Sequence, residues 1–361
     1  MGFVRGEKRR KKTVRWAVFL YFQLVRFGQE RRDMKVKGVV MIVISMFMCV
    51  FIAGCAAGSA DVPVAVPEPE PIAAVEPEEV SGGGITLTDM TGREVWLPGP
   101  ATRVVALTAA DVEIIFALGA GDTLVGRGEY CNYPPEALDI QSVQSGFETN
   151  IEQIIELEPQ LLLMNKMGQT EEQIRQLENA GVVTFVSDAQ SIDETYFAIE
   201  SIGILMGKEN EAGAVISDMK AVLADLSDKA AAAGGEQKTI YFEVSPLEYG
   251  LWTAGTETFM NEVAELLSLR NIFDDVSSWA EISEEQVLER NPDFILTVGM
   301  YFGDGPTPIE SILSRQGWEN TTAIKNKAIL NLTDDELSRP GPRLADGARM
   351  LYEFVYEGGT A

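Results

Sequence analysis

Histidine is absent from this chain of 361 residues. Its absence removes Ser-His-Asp and Cys-His nucleophilic catalysis, HExxH zinc sites and a proximal-histidine haem. No GxGxxG, P-loop or GxSxG pattern occurs either, so the commonest nucleotide-binding and hydrolase plans are missing as well. No catalytic residue, cofactor or metal ligand set is assigned. Cysteine is scarce: Cys49 lies in an apolar segment, Cys55 ends it and Cys131 stands alone. Cys131 reads as a semi-buried thiol, because no histidine or nearby cation would lower its pKa. Positive charge is also scarce, with 29 Lys+Arg against 55 Asp+Glu. It is unevenly placed, since residues 1–54 hold 12 of the cations and residues 55–361 carry 17 against 52 acidic groups. Such a surface repels nucleic acid and suits a neutral or cationic ligand, although a local arginine pocket could still take an anion.

What is present begins with an address. Met34-Lys35-Val36-Lys37 is a short basic region and Val39 to Ile52 an apolar one. Ile52-Ala53-Gly54-Cys55 then matches the bacterial lipoprotein signal, in which small residues expose the bond before a lipid-modified cysteine. The competing reading is a single-pass anchor, but the run falls short of the ~20 residues a span needs. Residues 34–54 are therefore expected to be a signal peptide and Cys55 the lipidation site. Residues 1–33 precede a complete signal, and translation is expected to start at Met34. Residues 56–84, with prolines at 63, 67, 69, 71 and 77, read as a disordered tether reaching at most ~90 Å.

Folded sequence begins near Ile85. Ile85 to Leu97 alternates about Asp89-Met-Thr-Gly92 and predicts a hairpin. Short apolar runs at 104–107, from Leu124, at 161–164 and at 182–186 alternate with helical segments at 110–118, 151–157, 170–179 and 192–206, the pattern of a parallel sheet between helices. Residues 209–233 are proline-free and read as one helix ~37 Å long. A second β/α series follows, with strands at 239–242, 294–298 and 328–332 and helices at 257–268, 284–290, 308–313 and 343–355. The domain plan is an N-terminal lobe 85–208, a connecting helix 209–233 and a C-terminal lobe 234–361.

The two lobes repeat each other. Asn150-Ile-Glu-Gln-Ile-Ile155 leads through Pro159 into Leu161-Leu-Leu-Met164, and Ser283-Glu-Glu-Gln-Val-Leu288 leads through Pro292 into Phe294-Ile-Leu296, at a constant shift of 133. Asn150 and Ser283 are suitable N-caps, with Gln153 and Gln286 at the capping-box position. Glu152 and Glu285 then fall at equivalent places in two first turns. A carboxylate there is favoured by the helix dipole alone, by ~0.3–1 kcal/mol. Two at matched places also suggest a surface gripped at two points.

Aromatic residues form a second group. Tyr130 and Tyr133 flank Cys131-Asn132, Phe147 follows Ser145-Gly146, Trp252 lies in Tyr249-Gly-Leu-Trp-Thr-Ala-Gly255 and Trp279 follows Ser277-Ser278. All are expected in loops at strand ends, where open α/β sheets bind ligands. Core packing explains any one of them, but the set fits a large, flat, mostly apolar ligand. A third group, Asp334-Asp335-Glu336-Leu-Ser338-Arg339-Pro-Gly-Pro-Arg343, links the last strand to the last helix. Arg339 could meet ligand oxygens there, or simply pair with Asp335 at the surface. Arg343 reads as structural.

Several of these segments resemble the substrate-binding proteins of ATP-binding-cassette importers for iron complexes and cobalamin. The resemblance spans about residues 86–356. It is carried by Thr88-Asp-Met-Thr-Gly-Arg93, Arg103-Val-Val-Ala-Leu107, Ala117-Leu-Gly-Ala-Gly-Asp122, Asn132-Tyr-Pro134, Asn150-Ile-Glu-Gln153, Trp252-Thr-Ala-Gly255, Asn271-Ile-Phe273, Ser283-Glu-Glu-Gln-Val287 and Ser338-Arg-Pro-Gly-Pro-Arg343. It implies an α/β fold of two β/α lobes with central sheets joined by one long helix, of the class III periplasmic-binding-protein type, with ligand between the lobes. It further implies that Glu152 and Glu285 pair with arginines of a permease dimer that works with an ATPase. The cobalamin-binding branch is most similar, through Asn132-Tyr133-Pro134, Trp279 and the Asp335/Arg339 spacing. A cleft tryptophan of that branch falls near Gly146 here, with Phe147 beside it. The expected ligand is accordingly a corrinoid, with ferric siderophore or haem-type complexes as the alternative, bound by Tyr130, Tyr133, Phe147, Trp252, Trp279, Asp335 and Arg339. The implied molecule is a monomer held by its lipid on the outer face of the cell membrane. Two rivals from other classes are a metallocluster enzyme on a two-lobed frame, which would need more Cys or His ligands than Cys131, and a surface adhesin or sensor lipoprotein, which would need neither the paired glutamates nor the aromatic set.

Overall fold

A computed structural model describes residues 84–358 except 146–148, 166–170, 246, 299–304 and 333–334. The chain enters through an antiparallel hairpin, β1 (Ile85–Thr88) and β2 (Glu94–Leu97). Its turn is organised by Asp89, whose buried carboxylate accepts from the Thr91 and Arg93 backbone amides and from the Arg93 guanidinium. Burial alone would raise that carboxyl, but these hydrogen bonds outweigh it and hold it below its usual range. Arg93 also reaches the Thr184 carbonyl, and Met90 N–H donates to the Val186 carbonyl. The Thr88–Arg93 motif is thus a staple that fixes the hairpin to the adjoining sheet.

That sheet contains β3 (Val104–Ala106), β4 (Leu124–Gly128), β5 (Ser142–Val143), β6 (Leu161–Met164) and β7 (Val183–Val186). All pairings are parallel and the order is β5-β4-β3-β6-β7. The fully buried run Leu161–Met164 is what a central parallel strand covered on both faces requires. Helices α1 (Ala109–Ala117), α2 (Ile151–Glu156), α3 (Glu171–Asn179) and α4 (Ile192–Leu205) complete this lobe. Helix α5 (Glu209–Ala233) follows, 25 residues long as the sequence predicts, and ends at Gly234 with φ +60°. Its buried stripe of Ala212, Met219, Leu223, Leu226 and Ala230 keeps helical spacing.

The second lobe opens with β8 (Thr239–Glu243) and β9 (Leu251–Ala254), then α6 (Phe259–Leu266), β10 (Arg270–Asn271), β11 (Trp279–Ile282) and α7 (Glu284–Arg290). It closes with β12 (Phe294–Thr297), α8 (Pro308–Leu313), α9 (Thr322–Lys325), β13 (Ile329–Asn331) and α10 (Leu344–Tyr356). Its parallel sheet runs β10-β8-β12-β13. Strands β6 and β12 coincide under the 133-residue shift, and each pairs with the first strand, in chain order, of its lobe's parallel sheet, β3 or β8. Helices α2 and α7 lead into these two strands, so the sequence repeat is a repeat of β/α units.

Two expectations need correction. Trp252 and Trp279 do not lie in loops: β9 and β11 form an antiparallel ribbon in which Trp279 faces Ala254 and Glu281 faces Trp252. Gly250 and Gly255 bracket a run of only four residues, which hides the strand. At Gly255 a Cβ would come within 2.1 Å of the Val276 carbonyl oxygen, so the glycine permits the ribbon's close approach. Of the two repeated helices, α7 has the complete capping box, at Ser283, and α2 does not. At Asn150 the side chain caps Gln153 N–H, but the Gln153 side chain donates instead to the Ser142 carbonyl at 2.9 Å, drawn off by β5.

Candidate ligand cleft and docking residues

The carboxyl ends of both parallel sheets, where open α/β sheets hold ligands, meet across one cluster. From the N-terminal lobe, β3 feeds α1 with its N-cap Thr108, and β4 runs into Glu129–Tyr133. From the C-terminal lobe, β13 runs into the loop that carries Asp335, Arg339 and Arg343. Glu113 of α1, with its side chain only 2% exposed, receives Arg339 at 2.8 Å and Arg343 at 2.8 Å. Arg339 also donates to the Asn132 side chain at 2.8 Å and pairs with Asp335. Arg343 lies 3.8 Å over the Tyr133 ring and has Glu336 at 3.9 Å. Two arginines therefore clasp the lobes together through one buried glutamate.

This refines the sequence reading in two ways. The Asp335–Arg339 pair exists but is largely buried rather than superficial. Arg343 stands at the N-cap position of α10 without a side-chain cap, and its guanidinium instead makes a cross-lobe contact to Glu113. Glu113 and Asn132 were missed as members of the site. The available signal was the lone glutamate in the otherwise apolar second half of α1, which a helix of the interior carries only when paired.

Tyr130 and Tyr133 present rings at 37% and 41% exposure beside the clasp. Burial, with Glu129 adjacent, pushes the Tyr130 phenol up to about 12, so it remains a neutral donor. Cys131 between them is fully buried, not semi-buried, and burial pushes its thiol up to about 12 against the pull of Arg339. It is inert at neutral pH. Gly128 allows the turn, since a Cβ there would fall 2.3 Å from the Leu107 carbonyl oxygen.

Trp279 is half-buried on the other side of the lobe junction. Its indole N–H donates to the Gln190 side chain of the first lobe at 2.7 Å, and its ring packs on Phe259 at 5.5 Å. Glu262 supports the same junction by accepting from Ile192 N–H at the start of α4. Trp252 is buried in β9 at 5% exposure, which separates it from the exposed rings. Phe147 and Cys55 lie outside the described residues. A depression of about 390 Å³ lined by Lys238, Asp293, Lys327 and Phe354 lies at the amino ends of β8, β12 and β13, away from this junction.

Glu152 and Glu285 are both exposed, each at the second position of its helix. Its own backbone amide and the Ser283 hydroxyl hold the Glu285 carboxyl below its usual range. The turn carrying Glu285 is braced from behind. Glu284 accepts from the Trp318 indole at 2.8 Å, Arg315 stacks 4.6 Å over Trp318, and Arg315 is doubly paired with buried Glu243 at the end of β8 at 2.6 and 2.8 Å. Among the described residues no group of three or more acidic, Cys or His side chains is arranged to hold a metal ion. No helix among them is long and apolar enough to cross a membrane.

Two parallel β/α lobes, one connecting helix and facing carboxyl edges define a bilobal binding protein. The chain belongs to the periplasmic binding protein family, whose profile matches residues 104–336. It is 33% identical over 276 residues to an uncharacterised ABC transporter substrate-binding lipoprotein, YvrC, of Bacillus subtilis, covering 75% of this chain and 85% of that protein. It is 30% identical to a vitamin B12-binding protein of Salmonella paratyphi A, covering 71% and 91%. The crystal structure of a possible iron-binding, periplasmic solute-binding protein from Staphylococcus epidermidis superposes with a TM-score of 0.59 at 31% identity, covering 71% and 99%.

Proposed function

We propose that the chain is the substrate-binding lipoprotein of an ABC importer and that its ligand is a corrinoid. The observation that carries the reading is the junction of the two sheets' carboxyl edges. There the exposed tyrosines 130 and 133 and the half-buried Trp279 lie on either side of the lobe contact, with Arg339 and Asp335 between the lobes. Flat rings with a few fixed polar groups suit a macrocycle whose rim carries amides. Phe147 and Trp252 complete the proposed contact set, Trp252 as the buried support of the ribbon that carries Trp279. Glu152 and Glu285 meet cations on a permease dimer driven by its ATPase. Residues 85–208 and 234–361 act as the two lobes about the 209–233 helix, anchored outside the cell membrane through Cys55. The protein is a carrier, not a catalyst. The B12-binding relative supports the corrinoid, while the staphylococcal structure favours an iron complex as the second reading.

Titration of the purified protein with corrinoids and ferric chelates tests this. A corrinoid is expected to quench tryptophan fluorescence through Trp279, with a Kd in or below the micromolar range, about −8 kcal/mol. Trp279→Ala is expected to weaken binding at least tenfold while the far-ultraviolet circular dichroism is retained. Saturation by a ferric chelate alone would move the assignment to the second reading. Failure of every compound below the millimolar range would remove both.

A further inference from the structure

The clasp has a charge count that bears on what can enter. Arg339 and Arg343 face three carboxylates: Glu113, Asp335 and Glu336. The third nearby cation, Arg127, is buried and donates to the Ala137 and Gly128 carbonyls. Glu129 borders the exposed tyrosines and adds negative charge. Among the described residues, then, every arginine at this edge is already engaged, and its surroundings are net negative. An incoming anion would have to displace Glu113 from two guanidiniums in a largely desolvated setting, and it would meet the remaining carboxylates as like charges. A neutral amide has no such cost, because it can accept from the outward rim of Arg339, whose side chain remains 13% exposed.

We propose that this edge selects its ligand by charge. It admits a neutral or cationic molecule whose polar rim is made of amides, and it rejects one of the same shape that presents carboxylates. The inference rests on the binding-protein reading above, and it makes Glu113 and Asp335 specificity-determining residues. Glu113 acts by occupying the arginines rather than by touching ligand.

The test compares cyanocobalamin with its derivatives in which peripheral amides are hydrolysed to carboxylates, so that shape is held and charge varied. Calorimetry with the wild-type protein is expected to favour the amide form about tenfold or more. Glu113→Gln and Asp335→Asn should each narrow that ratio towards one. Asp335→Asn changes the charge without removing the buried cross-lobe carboxylate, so it still tests the rule if Glu113→Gln does not fold. Equal binding of both forms by wild type, or an unchanged ratio in folded variants, overturns the proposal. If neither corrinoid binds, the corrinoid reading fails and the charge rule is read on a neutral ferric tris-hydroxamate against an anionic ferric tris-catecholate. Preference for the hydroxamate upholds the rule and preference for the catecholate overturns it. Binding of none of the four overturns both.

Discussion

Asp111, in the first turn of α1, is fully buried, and burial raises its carboxyl from 3.8 to about 6 against the Thr108 and Ser187 hydroxyls that hold it down; nearby Asp188 raises it further. A carboxyl raised on folding binds its proton more tightly in the folded state. Its favourable contribution is therefore complete below about pH 4 and is lost as pH climbs through about 6, after which a buried charge remains. Asp111→Asn should accordingly stabilise the protein at pH 7.5, by at most ~3 kcal/mol, and leave it unchanged near pH 3.5. Urea unfolding of both proteins at the two pH values checks this. A gain at pH 3.5 equal to that at pH 7.5 would show that the carboxyl is not titrating. Nothing in the sequence marks Asp111 apart from the dozens of other acidic residues. Its chemistry comes from the depth at which α1 seats its first turn, a tertiary fact.

At the scale of elements, α2 and α7 carry the clearest message. Each is short, N-capped, and delivers an exposed glutamate beside a buried apolar residue, Ile154 or Val287. Glu152→Ala together with Glu285→Ala is expected to leave ligand affinity within about twofold and to reduce transport strongly. Removal of charged partners at an interface typically costs ~2–5 kcal/mol. Ligand binding and uptake measured side by side separate the two effects, and loss of ligand binding with intact assembly would contradict the role. These helices were legible in the sequence because their caps, glutamines and prolines recur at one spacing. So was α5, from its unbroken composition. The β9–β11 ribbon was not legible, because its two strands are four residues each, bracketed by glycines or by Ser277-Ser278, and they find each other across 24 intervening residues. The clasp was only half legible. Arg339 and Asp335 stand four apart in one loop, whereas Glu113 lies 226 residues from Arg339. Pairing at that distance is decided by how the lobes meet.

For the whole molecule, the lipoprotein signal read in residues 34–55 predicts that the lobes hang from a lipidated Cys55 by a tether. Cys55→Ala is expected to block lipidation and leave the precursor unprocessed. Intact-mass analysis of membrane and soluble fractions checks it, and residues 1–54 found on the processed wild-type protein would refute it. The lobes themselves are joined by α5 and pinned together by Glu113, Arg339 and Arg343. A helix advances ~1.5 Å and turns ~100° with every residue. Adding or deleting a single residue in α5 would swing the second lobe by nearly a third of a revolution, pulling both arginines off Glu113. Loops elsewhere can lengthen gradually, but the length of this helix is quantised, and only changes close to whole turns would return the second lobe to its present bearing on the first.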